Sequence, residues 1–149
     1  MAMIEVRKML IKDIPYILEI EKRCFPIPWT KSAFEKELKS NKLAHYFVGV
    51  LDGKVAGYGG MWLIVDEGHI TNIAVHPDFR GKKIGENIIK ALVQEAEERR
   101  IYRLTLEVRK SNIIAQNLYK KLGFVACGIR PAYYSDNSED ALIMWREIE

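Results

Sequence analysis

The sequence predicts an α/β fold, a twisted mixed sheet with helices on both faces. Two patterns carry this expectation. Residues 45–64 hold two apolar, strand-like runs joined at Asp52-Gly53, a hairpin signal that makes the first part of the sheet antiparallel. Residues 73–129 then read strand, loop, helix, strand, helix, strand. The chain has 149 residues, 48% of them hydrophobic, enough for a single domain spanning 1–149 around one core.

Each element has its own local signal. A strand over residues 4–9 opens the chain. A helix over 13–23 follows, capped by Asp13 and burying Ile14, Ile17, Leu18 and the stem of Glu21. Phe25-Pro26-Ile27-Pro28-Trp29 breaks it, and Thr30 caps a second helix running toward residue 40, with Phe34 and Leu38 four residues apart. Strands follow over 45–51, 54–64 and 68–75. Ile84, Ile88, Ile89, Leu92, Val93 and Ala96 recur at helical spacing, so a third helix has its first turn at Ile84 and Gly85. Over 103–108, Leu104, Leu106 and Val108 alternate with Thr105 and Glu107, the period of a strand. A short helix over 113–122 starts from a Ser111-Asn112 cap and stops at Gly123, whose tolerance of positive φ suits a helix end. Strands over 124–129 and 140–147 close the sheet.

Composition excludes several classes of function. The net charge is +3, from 23 basic and 20 acidic residues, too mild for nucleic-acid binding without a basic helix or a stacking motif. No apolar stretch approaches the ~20 residues that span a bilayer, and residues 1–7 lack a signal-peptide core. A cytoplasmic protein without membrane contact is the expectation. Cys24, Cys127, His45, His69 and His76 are too scattered for a zinc motif, so no metal is expected and both cysteines read as reduced packing residues.

The stretch Ile73-Ala74-Val75-His76-Pro77-Asp78-Phe79-Arg80-Gly81-Lys82-Lys83-Ile84-Gly85 carries an apolar strand through a basic loop into a helix. The first N–H groups of a helix lack intrahelical acceptors, and the helix dipole is positive there. Arg80, Lys82 and Lys83 add full charges, and Gly81 and Gly85 let the backbone come close, an arrangement that suits phosphate. Neither G-x-x-x-x-G-K-[ST] nor G-x-G-x-x-G is present, since Gly57, Gly59 and Gly60 lack the spacing. On these residues alone, a charged surface turn ahead of an amphipathic helix is the commoner outcome.

This segment resembles the acyl-CoA-binding motif of the GNAT acetyltransferases, whose core loop reads [QR]-x-x-G-x-[GA]. Arg80 and Gly85 match its ends, while Lys83 stands where the family has its first glycine. The resemblance implies a GNAT-like fold and acetyl-CoA as acetyl donor. Its pyrophosphate would lie on Gly81, Lys82, Lys83, Ile84, Gly85 and Glu86, and its pantetheine arm would pair with Ile73, Ala74 and Val75. A backbone N–H of that strand, Val75 first, is the candidate donor to the thioester oxygen.

Leu106-Glu107-Val108-Arg109, followed by Ser111-Asn112 and Ala115-Gln116-Asn117-Leu118-Tyr119-Lys120-Lys121-Leu122-Gly123-Phe124, resembles one GNAT branch, the bacterial ribosomal-protein-alanine N-acetyltransferases of the RimI type. The resemblance implies that Glu107 is the general base and Tyr119 the general acid. An α-amine is mostly protonated near neutral pH and must lose a proton to attack, and a phenol can donate to a departing thiolate. Read without the family, Glu107 is a solvent-facing carboxylate paired with Arg103 or Arg109, and Tyr119 extends an apolar stripe. Asn112 matches a position that bonds the cofactor and is equally a helix cap.

Phe25, Pro28 and Trp29 fall in a segment like the F-P-x-P-W entry to the second helix of that branch, a wall of its peptide groove; a rigid hydrophobic turn reads the same way. Arg130-Pro131-Ala132-Tyr133-Tyr134 resembles its R-x-x-Y-Y loop, where Tyr133 and Tyr134 hold an acceptor backbone or pack within a hairpin. The resemblance thus implies a metal-free, acetyl-CoA-dependent N-terminal acetyltransferase. Its partner would be a protein N-terminus, the alanine of a small-subunit ribosomal protein. The alternatives are a GNAT acting on lysine side chains or small amines, which Glu107 does not separate, and a non-catalytic CoA-binding module, against which Glu107 and Tyr119 together argue.

Overall fold

In the computed structural model, which describes residues 3–148, the chain runs β1 (Ile4–Lys8), α1 (Ile14–Cys24), α2 (Lys31–Lys39), β2 (Ala44–Leu51), β3 (Lys54–Ile64) and β4 (Glu67–Val75). It continues through α3 (Ile84–Glu98), β5 (Arg103–Arg109), α4 (Ile113–Lys121), β6 (Val125–Arg130) and β7 (Ala141–Glu147). Residues 1, 2 and 149 of the expected domain lie outside the described residues. The strands form one seven-stranded sheet in the order β1-β2-β3-β4-β5-β7-β6. β4 and β5 pair in parallel and the other neighbours are antiparallel. The expected mixed sheet is therefore observed.

Helices cover both faces because strand alternation sends apolar side chains to each. Leu104, Leu106 and Val108 join Ile84, Ile88 and Leu92 of α3 in one core cluster. Tyr46, Val48, Tyr58 and Ala74 join Ile14, Ile17 and Ile20 of α1 and Phe34 of α2 in the other. The glycines of β3 serve this packing. A Cβ at Gly59 would stand 2.6 Å from Cγ2 of Ile88, so α3 lies against bare backbone. Gly57 likewise meets Ile84 and Ile88 of α3, whereas Gly60 makes room for the Tyr46 ring.

What positions the site is the parting of β4 from β5. Their pairing joins Glu67, Gly68 and His69 to Arg103, Leu104 and Thr105 and goes no further. On its other side β4 pairs Ile70 with Met61 and Asn72 with Gly60, leaving Thr71 as an extra residue. Such a bulge bends and twists its strand. Here it sends the second half of β4 away from β5.

Two local expectations are corrected. Asp13 precedes α1 but makes no side-chain cap; its carboxylate instead accepts both arms of the Arg7 guanidinium, at 2.8 and 2.9 Å, and the Leu10 N–H at 2.7 Å. The donors that engage it stand on residues before α1, a guanidinium fork and one amide, rather than in the helix's first turn. Cys127 is exposed on β6 rather than packed, because β6 is a sheet edge without helical cover. Thr30 caps α2 as expected, accepting the Ala33 N–H at 3.1 Å.

Candidate active site

Where β4 and β5 part, a cavity of about 410 Å³ opens. Thr71, Asn72 and Ile73 of β4 face Glu107, Val108 and Arg109 of β5 across it, with Asn112 and Tyr119 closing one end. Glu21, Cys24, Phe25, Pro26, Ile27 and Trp29 wall it from α1 and the following loop; Tyr134, Ser135 and Asp136 wall it from the β6–β7 connection. Segments far apart in sequence therefore meet at one point, the gap in the sheet.

Glu107 is nearly buried, its side chain 9% exposed. Its Oε2 lies 2.6 Å from Nε2 of His69 and its Oε1 3.4 Å from Nε of Arg130. The His69 hydrogen bond holds the carboxyl below the usual range against the opposing effect of burial, and the charge of Arg130 adds to this. A second cavity, of about 430 Å³, meets Glu107 from the side of His69, Arg130, Ile143 and Trp145. The carboxylate thus stands between two openings. Arg103 and Arg109 are not its partners: Arg103 bonds Glu67 at 2.8 Å, and Arg109 bonds Asp136 at 2.9 Å and Glu139 at 3.2 Å.

Tyr119 both packs and faces the cavity. Its ring lies 5.9 Å from that of Phe124, and burial, with Tyr134 nearby, pushes its hydroxyl up to about 12. It is a phenol that stays protonated at neutral pH. Asn112 caps α4 as expected, its Oδ1 accepting the Ala115 N–H at 3.1 Å, and the residue stands on the cavity wall.

The basic loop lies beyond this cavity, at the start of α3. Gly81 has φ +79° and Lys83 φ +64°, both left-handed, so the lysine adopts the conformation that a glycine there would supply. None of the N–H groups of residues 81–86 has an acceptor among the described residues. Free donors at a helix start suit an anion. Three further details describe the loop. Gly85 has no positive φ, and a Cβ there would meet Val75 Cγ2 at an ordinary 3.5 Å, so neither its own conformation nor its protein neighbours require a glycine. The side chain of Arg80 turns back, its Nε donating to the Val75 carbonyl at 3.4 Å and its guanidinium reaching Cys24 Sγ at 3.5 Å. The carboxylate of Glu86 is held by Lys121 at 2.7 Å and Lys90 at 3.2 Å, leaving its backbone to face a ligand.

The strand residues divide in the same way. Ile73 reaches the cavity wall, whereas Ala74 and Val75 do not, and Cys24 Sγ donates to the Val75 carbonyl at 3.3 Å. Ile73 rather than Val75 is therefore the strand residue beside Glu107. Of the acceptor-side residues, Phe25, Trp29 and Tyr134 stand on the wall. Pro28 does not, its place being taken by Pro26 and Ile27, and Tyr133 is 48% exposed, edge-on to Tyr134 at 5.0 Å.

His69, Glu21, Thr71 and Asn72 were not foreseen as site residues. The strand period puts His69 and Thr71 on one face of β4, but which face meets Glu107 depends on the β4–β5 register. Among the described residues no helix is long and apolar enough to cross a membrane, and no cluster of three or more His, Cys, Asp or Glu is placed to hold a metal ion.

Comparison with known proteins gives concordant matches. A model of the acetyltransferase (GNAT) family matches residues 14–124. The chain is 50% identical over 140 residues, 94% of its length and 93% of the other, to a Bacillus subtilis (strain 168) protein provisionally named a ribosomal protein bS18-alanine N-acetyltransferase. It is 38% identical over 136 residues, 89% of each, to the Escherichia coli (strain K12) ribosomal protein bS18-alanine N-acetyltransferase. The crystal structure of the ribosomal-protein-S18-alanine N-acetyltransferase from Escherichia coli superposes with a TM-score of 0.89 at 34% identity, covering 99% of this chain and 95% of that one.

Proposed function

The chain belongs to the acetyltransferase (GNAT) family, and on that premise we propose that it acetylates the α-amine of a protein N-terminus, that of the ribosomal protein bS18 named for its relatives. The observation that carries this reading is the shared cavity. Glu107 and Tyr119 stand on one wall, and two separate loops, one holding Phe25 and Trp29 and one holding Tyr134, stand on the others. An amine-handling pair is thus enclosed as an extended chain end requires. We take residues 1–149 to work as one domain, in the cytoplasm.

The residues fit acetyl-CoA, which supplies the acetyl group as a thioester. The free N–H groups of residues 81–86 and the left-handed backbone at Gly81 and Lys83 form a cradle for its pyrophosphate. Lys82 and Lys83 add charge beside it. Because β4 leaves β5 after His69, the β4 edge over residues 73–75 would pair with the pantetheine arm, except at the Val75 carbonyl, which Cys24 and Arg80 occupy. The Ile73 N–H is the candidate donor to the thioester oxygen, and Asn112 flanks the same wall.

Glu107, ionised, accepts a proton from the incoming ammonium, directly or through water. The freed nitrogen would then form its bond to the acetyl carbon as the carbon–sulfur bond breaks, its surplus proton passing to solvent as the amide forms. Tyr119 offers its hydroxyl proton to the departing sulfur. General acid–base assistance of this kind contributes roughly 10²- to 10⁴-fold each.

Two peptides test the reading. One carries a free N-terminal alanine and no lysine; its twin is N-blocked and contains lysine. Incubation with acetyl-CoA and mass spectrometry are expected to find acetyl on the first alone. Modification of the blocked peptide alone would assign the enzyme to lysine side chains instead.

A further inference from the structure

One carboxylate on the cavity wall has no part in the chemistry above. Glu21 is 2% exposed. Tyr58 donates its hydroxyl to Glu21 Oε1 at 2.8 Å, and the Trp29 N–H lies against the same carboxylate. Both partners are neutral donors, so the group is held as an acceptor. No cation among the described residues forms an ion pair with it.

The other buried carboxylates are provided for. Asp13 has Arg7, and Glu95 has His45 and Arg99. Glu37, which also lacks a cation, accepts from three side chains, Asn41, Tyr46 and Trp62, and stands off the cavity wall. Glu21 alone among them is both without a counter-charge and on that wall. Burial pushes its carboxyl up, the expected sign of an uncompensated charge in low dielectric. Leaving such a charge unpaired is costly unless something else supplies the opposite sign.

The acceptor supplies it. An α-amine arrives largely as an ammonium at neutral pH, and Glu107 is already served by His69 and Arg130. We propose that Glu21 is a substrate-binding residue that holds the α-ammonium of the acceptor on entry, so that the cavity selects a charged chain end over a blocked one. The assignment rests on the N-terminal reading above. It adds that recognition and deprotonation use different carboxylates.

The test compares an alanine-terminated peptide with a twin whose N-terminal alanine is replaced by propionyl, which keeps the shape and removes the charge. Binding to the CoA-saturated protein is measured by calorimetry at pH 6.5. The intact protein is expected to bind the charged peptide about tenfold tighter or more, the scale of a charge-assisted hydrogen bond. E21Q and Glu21→Ala lose that preference to within about twofold, while Glu21→Asp keeps a preference that E21Q lacks. Affinity for CoA is unchanged in each. Equal binding of the two peptides by the intact protein, or a preference retained by folded E21Q, overturns the proposal. The peptide turnover assay reports separately, since acetylation of lysine alone would remove the N-terminal reading whatever E21Q does.

Discussion

His69 and Glu107 meet at 2.6 Å although they are not register partners, because His69 pairs with Thr105, two positions earlier on β5. Thr105 and Glu107 share a face, so the imidazole reaches one step ahead, past the last backbone pair of β4 and β5. The side-chain bond bridges the strands where their ladder ends. The same contact positions the Glu107 carboxylate and favours its ionised form.

His69→Ala is expected to move the acid limb of kcat to higher pH. The His69 bond favours ionised Glu107 and holds its carboxyl below the usual value of 4.5, so losing that bond lets the value rise. Activity then fails sooner on acidification. A kcat–pH profile at saturating substrates reads this directly, and coincident limbs in the two proteins would count against the role of His69. Glu107→Gln is expected to slow kcat by about 10²-fold or more with acetyl-CoA binding intact.

Tyr119→Phe removes a proton donor while keeping the ring that packs on Phe124. We expect kcat to fall about 10²-fold with little change in thermal stability. Because burial pushes Tyr119 up to about 12, the intact enzyme should keep its acid through pH 10. An alkaline loss of kcat centred near pH 9 would identify some other group as the donor.

Much of this site can be read from the sequence because its signals are local. The Leu104, Leu106 and Val108 alternation marks β5 and places Glu107 on the opposite face, and helix periodicity from Ile84 places the start of α3 within a residue. Long-range register is not encoded in that way. The partner of His69 depends on how β4 lies against β5, and the Thr71 bulge, beyond which the strands are separate, leaves no composition signal. Asp13 misled for a related reason: its Arg7 partner lies on another element.

Lys83→Gly is expected to stabilise the protein. A left-handed lysine costs roughly 1–2 kcal/mol, partly offset by the greater unfolded-state entropy of glycine, roughly 0.5–1 kcal/mol. The net gain should be about 0.5–1 kcal/mol by denaturant unfolding. Since the backbone already has the conformation of a glycine, with φ +64°, the KM for acetyl-CoA should rise only as far as the lost charge dictates, and high salt should erase the difference. A large, salt-independent rise in KM would mean that the Lys83 side chain shapes the loop.

Asp13→Ala tests the stability of the fold away from the cavity. Asp13 is 2% exposed and satisfies the Arg7 fork and the Leu10 N–H together. Removing it strands a guanidinium and an amide donor. Breaking a fully buried pair costs about 3–5 kcal/mol; with the Arg7 side chain 31% exposed, about 2 kcal/mol is the expected loss. The pH dependence follows in sign. Burial opposes ionisation of Asp13, but its bonds to Arg7 and Leu10 win and hold its carboxyl below 3.8. The stabilisation is therefore fully present above the unfolded-state value, near 3.9, and is lost as pH falls through the lower folded-state value. The stability difference between the native and Asp13→Ala proteins should be constant from pH 7 to about 5 and shrink below pH 4. A difference that stays constant to pH 2 would assign the loss to packing rather than to the ion pair.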